Sequence, residues 1–158
     1  MKLLVSLSVV VVVSASLVVA GALAKGASQA TITGPGLDRA LRLPGEGRPG
    51  GERLMRIAEA AGFFAAVFPR TPDPMRSTRP RGVLGPKYVV RYVMPGPNNE
   101  LDTIVQAVYP FANPSPLSYT RPGQRFWTTE QTRGGWYVAT RSLRRLLVAA
   151  GVPSRAAP

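Results

Sequence analysis

Proline and glycine divide this chain into short segments, and their spacing limits what it can fold into. Sixteen residues of each type occur among the 158. Proline lacks the amide proton that helices and inner strands need, and glycine favours turns. Residues 69–82 contain four prolines and four arginines, so we predict a long exposed loop there. Helices and strands must fit into the stretches between such breaks.

Two of these stretches have the period of an amphipathic helix. In residues 52–61 leucine, isoleucine and alanine recur at positions i, i+3, i+4 and i+7, and leucines recur similarly in residues 139–150. Gly62 and Gly151 follow at positions typical of helix C-terminal caps. We therefore predict two helices.

Other stretches alternate between two faces, as strands do. Residues 87–94 and 101–109 alternate on either side of a turn at 95–100, which predicts an antiparallel hairpin. Further strands are predicted at 30–33 and 40–43, as a buried strand at 63–68, and as edge strands at 117–120 and 125–129. The pattern predicts an α+β fold, a small single domain in which an antiparallel sheet of four to six short strands is packed by two helices.

The first 24 residues have the organisation of an export signal. Lys2 precedes an apolar stretch, and Ala22-Leu23-Ala24 matches a small-residue cleavage site. Cleavage after Ala24 predicts a secreted or extracytoplasmic protein with one mature domain at residues 25–158. The alternative is an uncleaved signal-anchor in the plasma membrane, because residues 3–24 are long enough to span a bilayer. Only in that case do we expect the chain to contact a membrane.

The composition excludes several kinds of chemistry. The chain contains no cysteine and no histidine, which excludes disulfides, zinc sites with Cys or His ligands, cysteine hydrolases and Ser-His-Asp triads. We predict no catalytic residue, no cofactor and no metal, and hence a protein that is not an enzyme.

The segment Gly45-Glu46-Gly47-Arg48-Pro49-Gly50 matches the G-x-G-x-x-G pattern of dinucleotide sites. Two features argue against phosphate binding. Glu46 would repel a phosphate, and Pro49 removes an amide donor. The pattern therefore favours an ordinary loop.

Glu100 and Asp102 lie on one side of a strand start. Paired carboxylates serve in acid–base chemistry, and a cofactor-free hydrolase would need them to converge with Asp38 and Glu130 in one pocket. Their spacing in loops favours solvated turn charges instead.

The 69–82 loop gives the sharpest indication of binding. Its four arginines are Arg70, Arg76, Arg79 and Arg81. Guanidinium groups suit phosphate and carboxylate oxygens. Tyr119 and Trp127 lie among further basic residues, and such interleaving binds glycans or nucleic acid by stacking and charge. Alternatively, the arginines only solvate the surface, and Trp136 and Tyr137 anchor the sheet to the last helix.

Four short stretches carry a family resemblance. They are Thr31-Ile32-Thr33-Gly34-Pro35-Gly36-Leu37, Leu84-Gly85-Pro86-Lys87-Tyr88, Val108-Tyr109-Pro110-Phe111-Ala112 and Gly134-Gly135-Trp136-Tyr137. In this order they resemble uncharacterised exported proteins of high-GC bacteria. The resemblance implies a bacterial, exported, single-domain protein, and it transfers no catalytic or binding residue.

The net charge of +12 and the export signal predict a non-enzymatic, secreted or envelope-associated binding protein. Its predicted partner is an anionic cell-envelope polymer held by the loop arginines. The alternative is an extracytoplasmic accessory or sensor domain that docks an exported or membrane protein through Tyr119, Trp127 and the proline-rich segment before them. A cofactor-free hydrolase is a second alternative. The export signal argues against nucleic acid as a partner.

Overall fold

The computed structural model describes residues 26–155, so the predicted export signal lies outside the described residues. The described elements, in chain order, are β1 (Gln29–Thr33), β2 (Leu41–Pro44), α1 (Gly51–Ala60), α2 (Phe63–Val67), β3 (Tyr88–Pro95), a 3-10 turn (Pro97–Asn99), β4 (Leu101–Tyr109), β5 (Leu117–Thr120), β6 (Arg125–Phe126), β7 (Glu130–Gln131), β8 (Gly135–Val138) and α3 (Ser142–Ala150). None of the helices in this part of the chain is long and apolar enough to cross a membrane.

Six strands form one antiparallel sheet in the order β2-β1-β3-β4-β5-β8, and β6 and β7 form a separate two-stranded sheet. The predicted hairpin forms the centre of the six-stranded sheet, since β3 pairs with β4 from Tyr88 opposite Val108 to Pro95 opposite Leu101. The chain has mixed helix and strand content in a small single domain. It therefore confirms the α+β prediction.

One face of the sheet packs against the helices. Alternate residues of β3, among them Val90 and Tyr92, are fully buried against the apolar side of α1, which includes Leu54 and Ile57. The predicted helix caps are also present, because Gly62 and Gly151 both have positive φ angles. The periodicity of α1 thus predicts its buried side correctly.

The prediction of a buried strand at residues 63–68 was wrong. These residues form α2, a short helix, after Gly62 turns the chain in the left-handed region with φ 69°. The ring of Phe63 packs 4.0 Å from that of Tyr92, centroid to centroid. A six-residue apolar run has too little periodicity to separate a strand from a helix, and here packing on the sheet decides.

The edge-strand prediction for residues 117–120 was also wrong. β5 pairs with β4 on one side and with β8 on the other, so it lies inside the sheet. Residues 125–129 are shorter as a strand than predicted, because Trp127 and Thr128 have positive φ angles and turn the chain towards β7. The outer strand β8 begins at Gly135, directly after Gly134, and this glycine pair predicts a turn more readily than a strand.

A buried polar network joins the end of α1 to the sheet. The carbonyl of Ala61 accepts hydrogen bonds from Ser118 Oγ at 2.6 Å and from Gln106 Nε2 at 3.1 Å. Gln106 Nε2 also donates to Thr120 Oγ1 at 3.1 Å, and Gln106 Oε1 accepts from the Tyr92 hydroxyl at 3.1 Å. The network therefore gives partners to a carbonyl at the helix end, which has none within the helix itself.

The folded state should lose stability in alkaline solution, partly through Tyr92. Burial raises the pKa of Tyr92 above its ordinary value of 10.0. The unfolded chain therefore ionises this tyrosine first, and stability falls as pH rises above about 10, by roughly 1.4 kcal/mol per pH unit for each such group. Urea unfolding between pH 8 and pH 11 should show a shallower decline for Tyr92→Phe than for the natural chain. An identical decline in both would contradict this assignment.

Candidate functional site

The sheet has a second face on which no core cluster forms, and we call it the open face. Its side chains alternate with those of the core and, apart from the buried Leu117, are half-buried or exposed. They include Thr31, Arg42, Val89, Arg91, Val93, Thr103, Val105, Ala107, Tyr109, Tyr119, Trp136 and Val138. Antiparallel sheets commonly leave one face solvated, so a binding role for this face depends on the particular side chains that it carries.

Three aromatic side chains, Tyr109, Tyr119 and Trp136, form an aromatic cluster on the open face. The Trp136 ring lies 4.9 Å from that of Tyr119 and 5.9 Å from that of Tyr109, centroid to centroid. Burial raises the pKa of the Tyr109 hydroxyl, and the Arg79 guanidinium acts in the opposite direction. Arg79 therefore lies near this cluster.

The arginine-rich loop extends the sheet beside the aromatic cluster. The backbone of Arg76 pairs with that of Trp136 through two hydrogen bonds, each 2.8 Å long, in an antiparallel bridge. Directly opposed residues of an antiparallel pair place their side chains on the same face. The Arg76 side chain therefore projects from the open face, next to Trp136.

Positive charge predominates on the open face. Arg42 and Arg91 project from β2 and β3, each opposite Thr31 of β1. Among the described residues of the six-stranded sheet, no acidic side chain lies on this face. Asp102 points to the other side, where its carboxylate accepts a hydrogen bond from the Trp127 amide at 2.8 Å. The open face therefore combines aromatic rings with arginines that have no acidic neighbour on the same strands.

The other two loop arginines lie beside other features of the structure. Arg70 lines a cleft of about 570 Å³ with Asp73 and Arg133, which form the only ion pair among the described residues. The hydrogen bond from the Met75 amide lowers the pKa of Asp73, and the hydrogen bond and positive charge of Arg133 lower it further. Arg81 lies near the bridge between Val83 and Asn113, at one end of the sheet. The structure thus separates the four predicted arginines into three places.

Trp127 is held by packing and is not part of the aromatic cluster. Its ring lies 5.6 Å from that of Phe68 and 5.3 Å from that of Phe126. Its indole N–H donates to the carbonyl of Pro95 at 2.9 Å. Of the two predicted aromatic residues, only Tyr119 lies on the open face.

Gly45 and Gly51, at the two ends of the glycine-rich segment, lie where two stretches of backbone pass too close for a side chain. A side chain at Gly45 would overlap the carbonyl of Ala27, and one at Gly51 would overlap the carbonyl of Gly45. Glu46 accepts a hydrogen bond from the Gly26 amide at 2.6 Å. Packing against the start of β1 therefore accounts for this segment without a phosphate.

The four carboxylates of the hydrolase hypothesis do not meet in one pocket. Glu100 lies at the β3–β4 turn, where it accepts a hydrogen bond from Thr128 Oγ1 at 3.0 Å. Asp38 lies in the β1–β2 connection, at the end of the sheet where Thr33 pairs with Val89 and β3 begins. Within residues 26–155, no group of three acidic side chains is placed to hold a metal ion.

Sequence patterns alone did not assign Tyr109 to a binding surface, and they favoured Trp136 as an anchor between the sheet and the last helix. Tyr109 shares one side of its strand with Val105, while Ile104 and Val108 occupy the other, so both sides are apolar. The position of Trp136 depends on β8, which was not predicted. The available signal was the alternation of Tyr119 with Ser118 and Thr120, which separates a polar side from an aromatic one.

Comparison with family models, with curated proteins and with solved structures gives no match. The function of the open face must therefore be inferred from its own chemistry.

Proposed function

We propose that this chain is an extracytoplasmic, non-enzymatic binding protein that holds an anionic cell-envelope polymer against the open face. The observation that supports this most directly is the backbone pairing of Arg76 with Trp136. The pairing connects the arginine-rich loop to the aromatic cluster, so that charge and apolar area occur on one surface. Guanidinium groups suit the carboxylates and phosphates of such polymers.

The spacing of the arginines favours an extended ligand over a small anion. Arg91 lies on β3, and Arg76 lies beyond β8, four strand positions away. At about 4.8 Å per strand these two residues are roughly 19 Å apart. A single phosphate would reach only one of them, whereas a polymer would reach both and cross the aromatic cluster between them.

The test compares arginines of the open face with arginines on α3. In the double variant Arg76→Gln/Arg79→Gln, retention on sedimented cell envelopes should fall about tenfold, because two exposed charge contacts each contribute about 0.7 kcal/mol. The matched control is Arg141→Gln/Arg145→Gln, which removes the same charge from exposed positions at and within α3. The control should retain nearly natural binding.

Two outcomes would contradict the proposal. Equal losses in both double variants would mean that net charge alone causes retention, without a site. Unchanged retention in Arg76→Gln/Arg79→Gln would exclude this edge of the open face as the place where the polymer binds. Binding by the natural chain should also weaken steeply as salt rises, because added ions screen such contacts.

A further inference from the structure

The open face contains a pocket at the point where the sheet becomes narrower. β5 pairs with β4 only as far as Thr120 opposite Gln106, so Val105 has no strand partner on that side. The side chain of Gln124 takes the place of the strand. Its Oε1 accepts from the Val105 amide at 2.8 Å, and its Nε2 donates to the Val105 carbonyl at 2.9 Å. The pocket therefore lies where the Gln124 side chain, instead of a strand, pairs with the backbone of β4.

The pocket has a volume of about 310 Å³ and combines three kinds of wall. Val105 and Ala107 form a small apolar part, Tyr119 supplies an aromatic ring, and Arg121 and Gln124 supply polar groups. Gln124 is 8% exposed, and its amide already bonds to Val105 and to the Arg121 carbonyl. The exposed guanidinium of Arg121 is therefore the charged group left to meet a ligand.

We infer that this pocket is a subsite for one sugar ring of an acidic glycan. The apolar C–H face of the ring lies against Tyr119 and Ala107, and its carboxylate or phosphate meets Arg121. This inference rests on the proposed function, and it narrows the anionic polymer to a polysaccharide.

The size of the pocket and the support of Tyr119 favour such a ligand. A volume of about 310 Å³ is at the lower end for ligand pockets, which suits a single ring. The Trp136 ring, 4.9 Å away, supports the Tyr119 ring from the side, so stacking does not require Tyr119 to become ordered on binding. The rest of the polymer then lies across the open face, towards Arg76 on one side and Arg91 on the other. Nucleic acid offers similar chemistry, but the predicted export signal disfavours it.

The test uses three probes of similar length: hexagalacturonate, hexaglutamate and oligothymidylate. Each probe is titrated into the purified protein in a calorimeter. The affinity for hexagalacturonate should be about tenfold higher than the affinity for hexaglutamate, which has charge but no rings. Tyr119→Ala should lower the affinity for hexagalacturonate about tenfold and so remove this preference. Arg121→Gln, which also removes one charge from the open face, should lower the affinity for hexagalacturonate more than the affinity for hexaglutamate. Ala107→Leu, which fills the pocket, should act in the same way, while Tyr119→Phe keeps the ring and should retain the preference.

The outcomes separate this inference from the proposal on which it rests. Equal affinity for hexagalacturonate and hexaglutamate, with both reduced in Arg76→Gln/Arg79→Gln, overturns the sugar subsite and supports polyanion binding by the open face. Absence of binding to every probe overturns both. Preferential binding of oligothymidylate that is lost in Tyr119→Ala overturns the glycan assignment in favour of nucleic acid. Thermal melting of each variant shows whether it is folded, and Tyr119→Phe and Ala107→Leu keep the test decisive if Tyr119→Ala unfolds.

Discussion

Replacement of Gly45 by alanine should lower the free energy of unfolding by about 3 kcal/mol, because the added methyl group would overlap backbone atoms that have little freedom to move. The nearest of these atoms is the carbonyl oxygen of Ala27, and the carbonyl of Ser28 is also close. The amide of Gly45 itself donates to the Ser28 carbonyl at 3.0 Å. Relief of the overlap would therefore separate this segment from the beginning of β1.

Gly47 is the matched control for this substitution. A side chain there would meet no atom within 4 Å, although the residue has φ 79°. Gly47→Ala should therefore cost only about 1 kcal/mol, the strain of a left-handed conformation. Thermal unfolding followed by circular dichroism should show a melting temperature about 10 °C lower for Gly45→Ala and a much smaller change for Gly47→Ala.

The comparison also tests the role of the glycine-rich segment. If Gly47→Ala proves as damaging as Gly45→Ala, the close crossing is not what requires these glycines. If the segment bound a phosphate, added pyrophosphate would stabilise the natural chain, and the stabilisation would rise with the logarithm of its concentration above the Kd. We expect no such stabilisation, because packing against β1 already explains Gly45.

The parts of the fold that could be predicted are those with a clear period. The β3–β4 hairpin, α1 and α3 each repeat over eight or more residues, and Gly62 and Gly151 mark helix ends by their backbone freedom. The short helix α2 could not be predicted, since six apolar residues fit a strand equally well. β8 could not be predicted either, because its four residues become a strand only by pairing with β5.

The candidate site was predictable in composition but not in arrangement. Arg76, Arg79 and Tyr119 stand out as residue types that bind anions and rings. Their proximity depends on the bridge between Arg76 and Trp136, which joins residues 60 positions apart and follows no local pattern. Nor does the sequence indicate which side of β4 is buried, because both sides are apolar and the buried one includes a glutamine.

That glutamine, Gln106, is the second position where we expect a large effect. Gln106→Leu keeps the approximate volume of the side chain but removes both of its polar groups. The Tyr92 hydroxyl then loses its acceptor, and Thr120 Oγ1 loses a donor, while Ala61 keeps only the hydrogen bond from Ser118. Gln106, Ser118 and Thr120 are fully buried, so water does not replace these partners. At about 1–3 kcal/mol for each unpaired group, Gln106→Leu should cost about 3 kcal/mol of stability.

A double-mutant cycle with Tyr92→Phe shows whether the network causes this loss. Tyr92→Phe alone removes one donor to Gln106 and should cost about 1 kcal/mol. In Tyr92→Phe/Gln106→Leu the hydroxyl that would lack a partner is absent, so the double variant should be at least about 1 kcal/mol more stable than the sum of the single effects predicts. Urea unfolding of the four proteins measures this coupling. Additive effects would mean that the loss in Gln106→Leu comes from its hydrogen bonds to Ala61 and Thr120, and that its hydrogen bond with Tyr92 contributes nothing measurable.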